Sequence, residues 1–402
     1  MKRLRSLLFW MHLTAGVVGG LVILIMSATG VLLAFKPQIQ RFVDRDVRVV
    51  SPPPQGARRL GVQGLILNAR LAKPDGQPAS IGLDFDPRAS AAVSLGREGT
   101  VYVDPYTGRV LGEGSKSWQA SFRTLEDWHR WLGGSADSRA AGRAVTGVCN
   151  LAFLGLAISG LYLWWPRKWL PQHLKAILMV RRQTTGRARD FNWHNVIGFW
   201  CAPALIILTA SGVVMSYPWA NNLLYRLAGS PLPSTGERGQ TAQGAAPGGG
   251  SPRPAPLPDN LDRLWARAEQ QVPVWRSITM RLPNRSGAPV AFTITDATHW
   301  NAFARSQLTL DASSAEIVRW EPYGDNSLGQ KMRGWLRFAH TGELGGAAGQ
   351  TLAGFASLGG VFLVYTGFAL AWRRLLGSRL WQRSIRSARD AVPPRVGTEK
   401  IA

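Results

Sequence analysis

The sequence predicts an α-helical integral membrane protein. It has four transmembrane helices in two parallel repeats and two small α+β lobes outside the membrane. Three observations predict this class. First, the 402 residues are 46% hydrophobic and 18% charged, and the charges leave long gaps. Runs of 30, 23, 35 and 29 residues free of Asp, Glu, Lys and Arg lie between Arg5 and Lys36, Arg143 and Arg167, Asp190 and Arg226, and Glu343 and Arg373. A membrane-spanning helix needs about 20 such residues. Second, the basic residues are unevenly placed. Third, the chain repeats itself. A net charge of +23 alone would suit a nucleic-acid binder. The block pattern excludes that reading and excludes a cytosolic enzyme.

The elements follow in order. Residues 1–35 hold a cytoplasmic N-terminus and the first span, near Leu13–Phe35. The apolar stretch is long for a signal peptide, and no small-x-small cleavage site follows before Lys36. Residues 36–143 form the first lobe and 144–166 the second span, near Val145–Trp165. A basic cytoplasmic loop, 167–193, leads to the third span in 194–217, near Val196–Tyr217. Residues 218–350 form the second lobe, with a Pro-, Gly-, Ser- and Ala-rich insert at 231–258 that reads as a flexible linker. The fourth span occupies 351–372, near Leu352–Trp372, and 373–402 is a basic tail. The short segments 1–7, 166–193 and 373–402 hold 18 basic residues, against 29 in the much longer lobes. The positive-inside rule then puts both termini and the middle loop in the cytoplasm. Trp10, Trp164, Trp165, Trp169, Trp193, Trp219 and Trp372 form an aromatic belt at the span ends.

The repeat shows in matched offsets. His12 opens span one and Thr29-Gly30 follows, as His194 opens span three and Ser211-Gly212 follows. Gly142, Gly147 and Gly160 of span two match Gly349, Gly354 and Gly367 of span four, with Ser159 matching Thr366. Two spans per half make the repeats parallel, about an axis along the membrane normal. In the first lobe, Ser80–Asp86 and Thr100–Val110 have strand character around the turn Asp104–Gly108. In the second, Ser277–Leu282, Val290–Thr295 and Gln307–Leu310 alternate, and Asp311–Trp320 reads as a turn and strand. Amphipathic helices are predicted at Ser117–Leu132 and Leu328–His340.

Six histidines are present: His12, His129, His173, His194, His299 and His340. A lone His at a span end is more often an interfacial residue than a ligand. Here four of them occupy equivalent repeat positions, and ionisable groups at membrane depth default to function. Low-spin haem takes two axial ligands from opposite sides, and neutral imidazole serves well. His12 with His194 would make one site near the cytoplasmic face, and His129 with His340 another near the outer face. Other pairings, such as His12 with a different ligand, stay open. Haem propionates want cations. Arg123, Arg130, Arg333 and Arg337 lie close in sequence to the outer pair, and Arg3, Arg5, Arg187 and Arg189 to the inner pair. His173 has no repeat partner and reads as an interfacial loop residue; His299 reads as a surface residue of the second lobe. Met11, Met26, Met215 and Met332 read as packing, and Cys149 and Cys201 as buried small residues.

Several stretches carry a family resemblance. They are Trp10-Met-His12 with Ser27-Ala-Thr-Gly30, Val101–Gly112, Asp127–Leu132, Ile158–Lys168, Asn192–Asn195 and Trp335–Glu343. The chain resembles the PepSY-associated transmembrane helix family of bacterial inner-membrane proteins, from about residue 3 to 376. It departs from the pattern at Trp128 before His129 and at Asp311-Ala-Ser-Ser-Ala315, where the turn lacks its glycine. The resemblance implies PepSY-like periplasmic lobes and two haem b groups, with His12, His129, His194 and His340 as axial ligands of the haem iron. It also implies a transmembrane oxidoreductase that delivers electrons to a periplasmic ferric siderophore and releases Fe(II) for iron uptake. Only about 30 residues follow the last span, with no Gly-rich nucleotide fingerprint, so the expected electron donor is a quinol or a separate flavoprotein. The lipid bilayer is an expected partner, and nucleic acid is not. The alternative is a haem-free PepSY protein that binds or regulates while anchored in the membrane. A transporter would want polar groups at mid-membrane; the span centres offer only Ser, Thr and Cys.

Overall fold

The computed structural model describes residues 2–165, 178–232 except 182, and 258–375 except 284, 286, 300 and 302. His173, Trp169, nearly all of the 231–258 insert, and most of the basic loop and tail lie outside the described residues. The elements in chain order are α1 (Lys2–Ala34), α2 (Lys36–Val43), α3 (Arg45–Arg48), α4 (Val62–Ala72), β1 (Ser80–Asp84), β2 (Ala91–Ser94), β3 (Thr100–Val103), β4 (Val110–Glu113), α5 (Lys116–Trp131) and α6 (Arg139–Trp164). Then come α7 (Gly186–Ser216), α8 (Pro218–Leu227), α9 (Leu261–Gln271), β5 (Trp275–Arg281), β6 (Val290–Asp296), β7 (Arg305–Leu310), β8 (Ile317–Glu321), α10 (Leu328–His340) and α11 (Gly346–Leu375). They divide into a helical unit within 1–34, 125–217 and 339–402, and a sheet unit within 35–124 and 218–338.

In the helical unit, α1, α6, α7 and α11 are each long and apolar enough to cross a membrane. Each predicted span falls inside one of them, but for a single residue at the end of the first three. The helices run further than the blocks, by about ten residues at the start of α1 and α7, because the flanking polar sequence stays helical beyond the bilayer core. Each helix packs on two others, α1 and α7 both lying against α6 and α11. The packing is inside out relative to a water-soluble bundle. The buried residues of α11 are Gln350, Ala353, Gly354, Ala356, Gly359, Gly360, Thr366 and Ala371. Val18, Leu21, Phe355 and Trp372 face outward, each more than 60% exposed. Lipid tails are as apolar as leucine, so helices in a bilayer gain by close backbone approach, not by hiding leucines. Gly20 shows the fit: a Cβ there would strike the Phe368 ring at 2.6 Å.

Buried polar side chains tie the helices together. Asn150 Nδ2 donates to Thr209 O at 2.9 Å, linking α6 to α7. Gln350 Nε2 donates to Ala34 O at 3.2 Å, linking α11 to α1. Asp190, almost fully buried at the start of α7, pairs with Arg189 at 3.0 Å and with Arg373 of α11 at 3.1 Å. Asn150 lies five residues into span two, away from the span centre, and its amide satisfies a neighbouring carbonyl.

The sheet unit is one eight-stranded antiparallel sheet in the order β4-β3-β2-β1-β5-β6-β7-β8. This corrects the picture of two separate lobes. The predicted lobes contribute four strands each and share a sheet. Their edge strands β1 and β5 pair along their length, from Ser80 opposite Arg281 to Asp84 opposite Ser277. Pairing two edges removes two rows of open hydrogen-bonding groups. One face carries the core. Val290, Phe292 and Ile294 alternate inward on β6, as period-2 patterning requires, and meet Ile81, Val93, Ile278 and Leu308. Two helices cover this face, α4 through Leu65, Ile66 and Ala69 and α9 through Leu261, Leu264 and Trp265.

The turn that lacks its glycine forms all the same. Asp104 Oδ1 accepts from the backbone N–H of Tyr106 at 2.8 Å, and Gly108 takes a φ of 73°. In the second half Asp311 Oδ1 accepts from the N–H groups of Ser313 and Ser314, both at 2.9 Å, and Ala315 is held at a φ of 61°. The left-handed conformation costs an L-residue about 1–2 kcal/mol. The hydroxyls of Ser313 and Ser314 add two further bonds to the same carboxylate. These donors hold the Asp311 carboxyl at about 2, below its ordinary value, with the Ser313 hydroxyl the largest cause.

Candidate functional site

Four histidines meet in two pairs inside the helical unit. His12, on α1, faces His194, on α7, with ring centres 6.4 Å apart. His129, in the last turn of α5, faces His340, the last residue of α10, with ring centres 6.3 Å apart. Amphipathic patterning brings the second pair there. Those helices carry their apolar residues on one face, and each His ends that face.

The Nδ1 atom of every ring is engaged. His12 Nδ1 lies 2.9 Å from Ser159 Oγ, and His194 Nδ1 lies 2.9 Å from Thr366 Oγ1. His129 Nδ1 lies 2.9 Å from Thr29 Oγ1, and His340 Nδ1 lies 3.1 Å from Ser211 Oγ. Each hydroxyl sends its own hydrogen to a backbone carbonyl of its helix, as Thr29 does to Ile25 O at 2.7 Å and Ser211 to Ile207 O at 2.6 Å. Thr366 donates to Phe362 O at 2.8 Å, and Ser159 to Leu156 O at 3.3 Å. A hydroxyl whose hydrogen is committed accepts from the imidazole. Nδ1 therefore carries the proton, and Nε2 keeps its lone pair. At His340 a second acceptor confirms the tautomer, because Leu208 O lies 2.8 Å from Nδ1 and can only accept.

Such a pair can bind one metal ion between two neutral nitrogens. Metal–imidazole bonds of about 2 Å, with about 1.1 Å from each nitrogen to its ring centre, put two imidazoles on either side of one metal about 6.2 Å apart, centre to centre. Both observed separations meet that figure. Among the described residues no group of three or more His, Cys, Asp or Glu stands together. Each pair therefore suits a metal whose other ligands arrive with it. The two pairs lie toward opposite ends of the spans. Thr29 follows His12 by 17 residues on α1, about 25 Å along the helix.

The four histidines of the predicted sites are thus brought together in the predicted pairs. The structure places the other candidates elsewhere. His299 belongs to the sheet unit, beside Tyr323 and 3.7 Å from Asp296. Met11 points outward at 58% exposed, away from its neighbour His12. Arg130 stacks over Trp131, with Arg139 also over that ring, each at 4.5 Å. Arg5 bonds Leu163 O, and Arg189 bonds Asp190. Arg3 and Arg187 are exposed. Arg123, Arg333 and Arg337 fall in the sheet unit, Arg333 on the side-chain oxygen of Asn221 and Arg337 over Phe338.

The family of the PepSY-associated TM region matches residues 9–374, nearly the whole chain and all four paired histidines. The chain belongs to this family. No curated protein matches it. Sequence reasoning found the four paired histidines of this PepSY-associated protein but missed their partners. Thr29, Ser159, Ser211 and Thr366 each precede a glycine, and all four dipeptides stood out as repeat markers. The signal was there, without a reason to connect Ser159 to a histidine 147 residues away.

Proposed function

We propose that this PepSY-associated protein is a haem-containing reductase of the bacterial inner membrane, with both termini cytoplasmic and the sheet unit in the periplasm. It passes electrons across the membrane to a ferric siderophore or another ferric chelate, which then releases Fe(II) for uptake. The observation that carries this reading is the pairing itself. Two facing imidazole pairs, spaced for one metal each, keep Nε2 free because Nδ1 is already bonded. His12 and His194 would hold one haem b, and His129 and His340 the other. When bound, haem supplies one-electron chemistry whose potential is set by its axial ligands and surroundings.

The rest is the protein's contribution. Neutral, oriented imidazoles need no deprotonation to ligate. Two sites near opposite ends of the spans divide the crossing into shorter distances. A quinol or a separate flavoprotein supplies the electrons. Ferric iron held by hard oxygen donors loses much of its binding on reduction, so outer-sphere electron delivery suffices and no acid–base pair is required.

A reduced-minus-oxidised visible spectrum of detergent-purified protein, with a pyridine haemochrome count, tests the reading. The expected result is two b-type haems per chain. Haem-free protein from haem-replete cells would overturn it and leave the anchored binding protein. With haem established, vesicles holding the protein and an internal reductant should release Fe(II) to a chromogenic chelator from an external ferric chelate.

A further inference from the structure

Three of the four Ser/Thr–Gly dipeptides share one construction, and helix geometry explains it. A helix carbonyl at position i accepts the N–H of i+4, and the side chains at i+3 and i+4 screen its remaining lone pair. Glycine at i+4 removes one screen. A hydroxyl at i+3 sets a second acceptor beside the carbonyl. Leu208 O, flanked by Ser211 and Gly212, lies 2.8 Å from His340 Nδ1, with Ser211 Oγ at 3.1 Å from the same nitrogen. His129 likewise bonds the Met26 carbonyl beside Thr29-Gly30, and His194 the Leu363 carbonyl beside Thr366-Gly367.

Gly160 also makes room for its ring, since a Cβ there would come within 3.3 Å of His12 Cε1, whereas a Cβ on Gly30 or Gly367 would only touch His129 Cε1 or His194 Cε1 at 3.5 and 3.6 Å. Gly212 differs, because a Cβ there would meet the Asn150 amide at 2.8 Å. Thr and Ser alternate across each pair. One imidazole of every pair rests on a threonine, whose branched Cβ restricts χ1, and the other on a serine.

We propose that Thr29, Ser159, Ser211 and Thr366, each with its following glycine, are positioning residues. They lock the four imidazoles as Nδ1–H tautomers and set how strongly Nε2 holds ferric iron. This rests on the haem-ligation reading above. Donation from Nδ1–H to an acceptor raises the basicity of Nε2, which favours ferric over ferrous iron. Weakening that donation shifts the balance toward the ferrous form.

The test uses full-length protein as purified, carrying its own haem, and reads haem count and an equilibrium redox titration. Thr29→Val removes the hydroxyl and keeps the branched shape; Thr29→Ser restores it. The expected result for Thr29→Val is an upward move of one of two one-electron waves by about a tenfold change in equilibrium, or about 59 mV, with the other wave fixed. Thr29→Ser should titrate like wild type, and Ser211→Ala should move the same wave as Thr29→Val. Wild type and Thr29→Val with two haems each and identical midpoints would overturn the positioning role and leave the proposed function standing. If Thr29→Val fails to accumulate, an unmoved titration of Ser211→Ala overturns the role in its place. Wild type without haem overturns the proposed function itself.

Discussion

Pairing makes a prediction about additivity. His129 and His340 face each other at 6.3 Å, and His12 and His194 at 6.4 Å. If each pair is one site, alanine at either member removes that site whole. His340→Ala should leave about one haem per chain of two, and His129→Ala should do the same. The double variant His129→Ala/His340→Ala should still hold about one, because the second change acts on a site already lost. His194→Ala/His340→Ala should hold none. Residues of one site are non-additive, whereas well-separated sites add. Cross-pairing, for instance of His12 with His129, reverses the pattern and empties the His129/His340 double.

The magnitude must be weighed against unfolding. Truncating His340 leaves Ser211 Oγ without its donor, while Leu208 O still accepts from the Ser211 hydroxyl at 2.9 Å. An unsatisfied buried acceptor costs about 1–3 kcal/mol. A membrane protein of ordinary stability tolerates that loss. The untouched pair is then an internal control, since a haem still bound at His12 and His194 certifies a folded bundle. The assay is a pyridine haemochrome count per chain on monodisperse protein from size-exclusion chromatography. A haem-free His129→Ala/His340→Ala variant that elutes like wild type would refute the pairing. His173→Ala, at a residue with no repeat partner, should leave both haems in place.

Three further outcomes are expected. Gly160→Ala forces a Cβ to 3.3 Å from His12 Cε1 and should lower or broaden the signal of that pair. Gly155→Ala meets nothing within 4 Å, so it should keep both haems and gain up to about 1 kcal/mol of helix propensity; equal spectra for the two would refute the cradle. Asp311, held at about 2, stabilises the fold above its ordinary value near 4, and that contribution is lost as pH falls through 2. Thermal melts between pH 5 and 2 should therefore fall less steeply for Asp311→Asn than for wild type, and parallel curves would count against the turn. Asn150→Val removes the bond to Thr209 O and should cost about 0.6–1.7 kcal/mol in an SDS unfolding titration; an unchanged midpoint would mean the link contributes nothing.

What was legible in the sequence follows from which constraints are local. The spans were legible because bilayer thickness fixes the length of an uncharged run. The helices that carry His129 and His340 were legible because apolar residues recur on one helical face. β2 was not, because Ala91 and Ala92 carry little strand preference and the segment has four residues. Nor was the junction of β1 with β5, because Ser80 and Arg281 lie about 200 residues apart and each strand looks like an ordinary edge. Asn150 was passed over as one polar letter in an apolar block, and its meaning depends on a carbonyl 59 residues away.

The hydroxyl partners show how the two halves divide the work. Within the first half, Ser159 holds His12 and Thr29 holds His129. Within the second, Thr366 holds His194 and Ser211 holds His340. Every clamp therefore lies inside one half, and every facing pair lies between halves. A single half can orient two imidazoles, but it supplies only one histidine to each facing pair, so both pairs form only where the halves meet. The matched offsets between spans are then a requirement of the pairing: a one-residue slip in either half would swing a histidine about 100° around its helix and leave its opposite number with no partner.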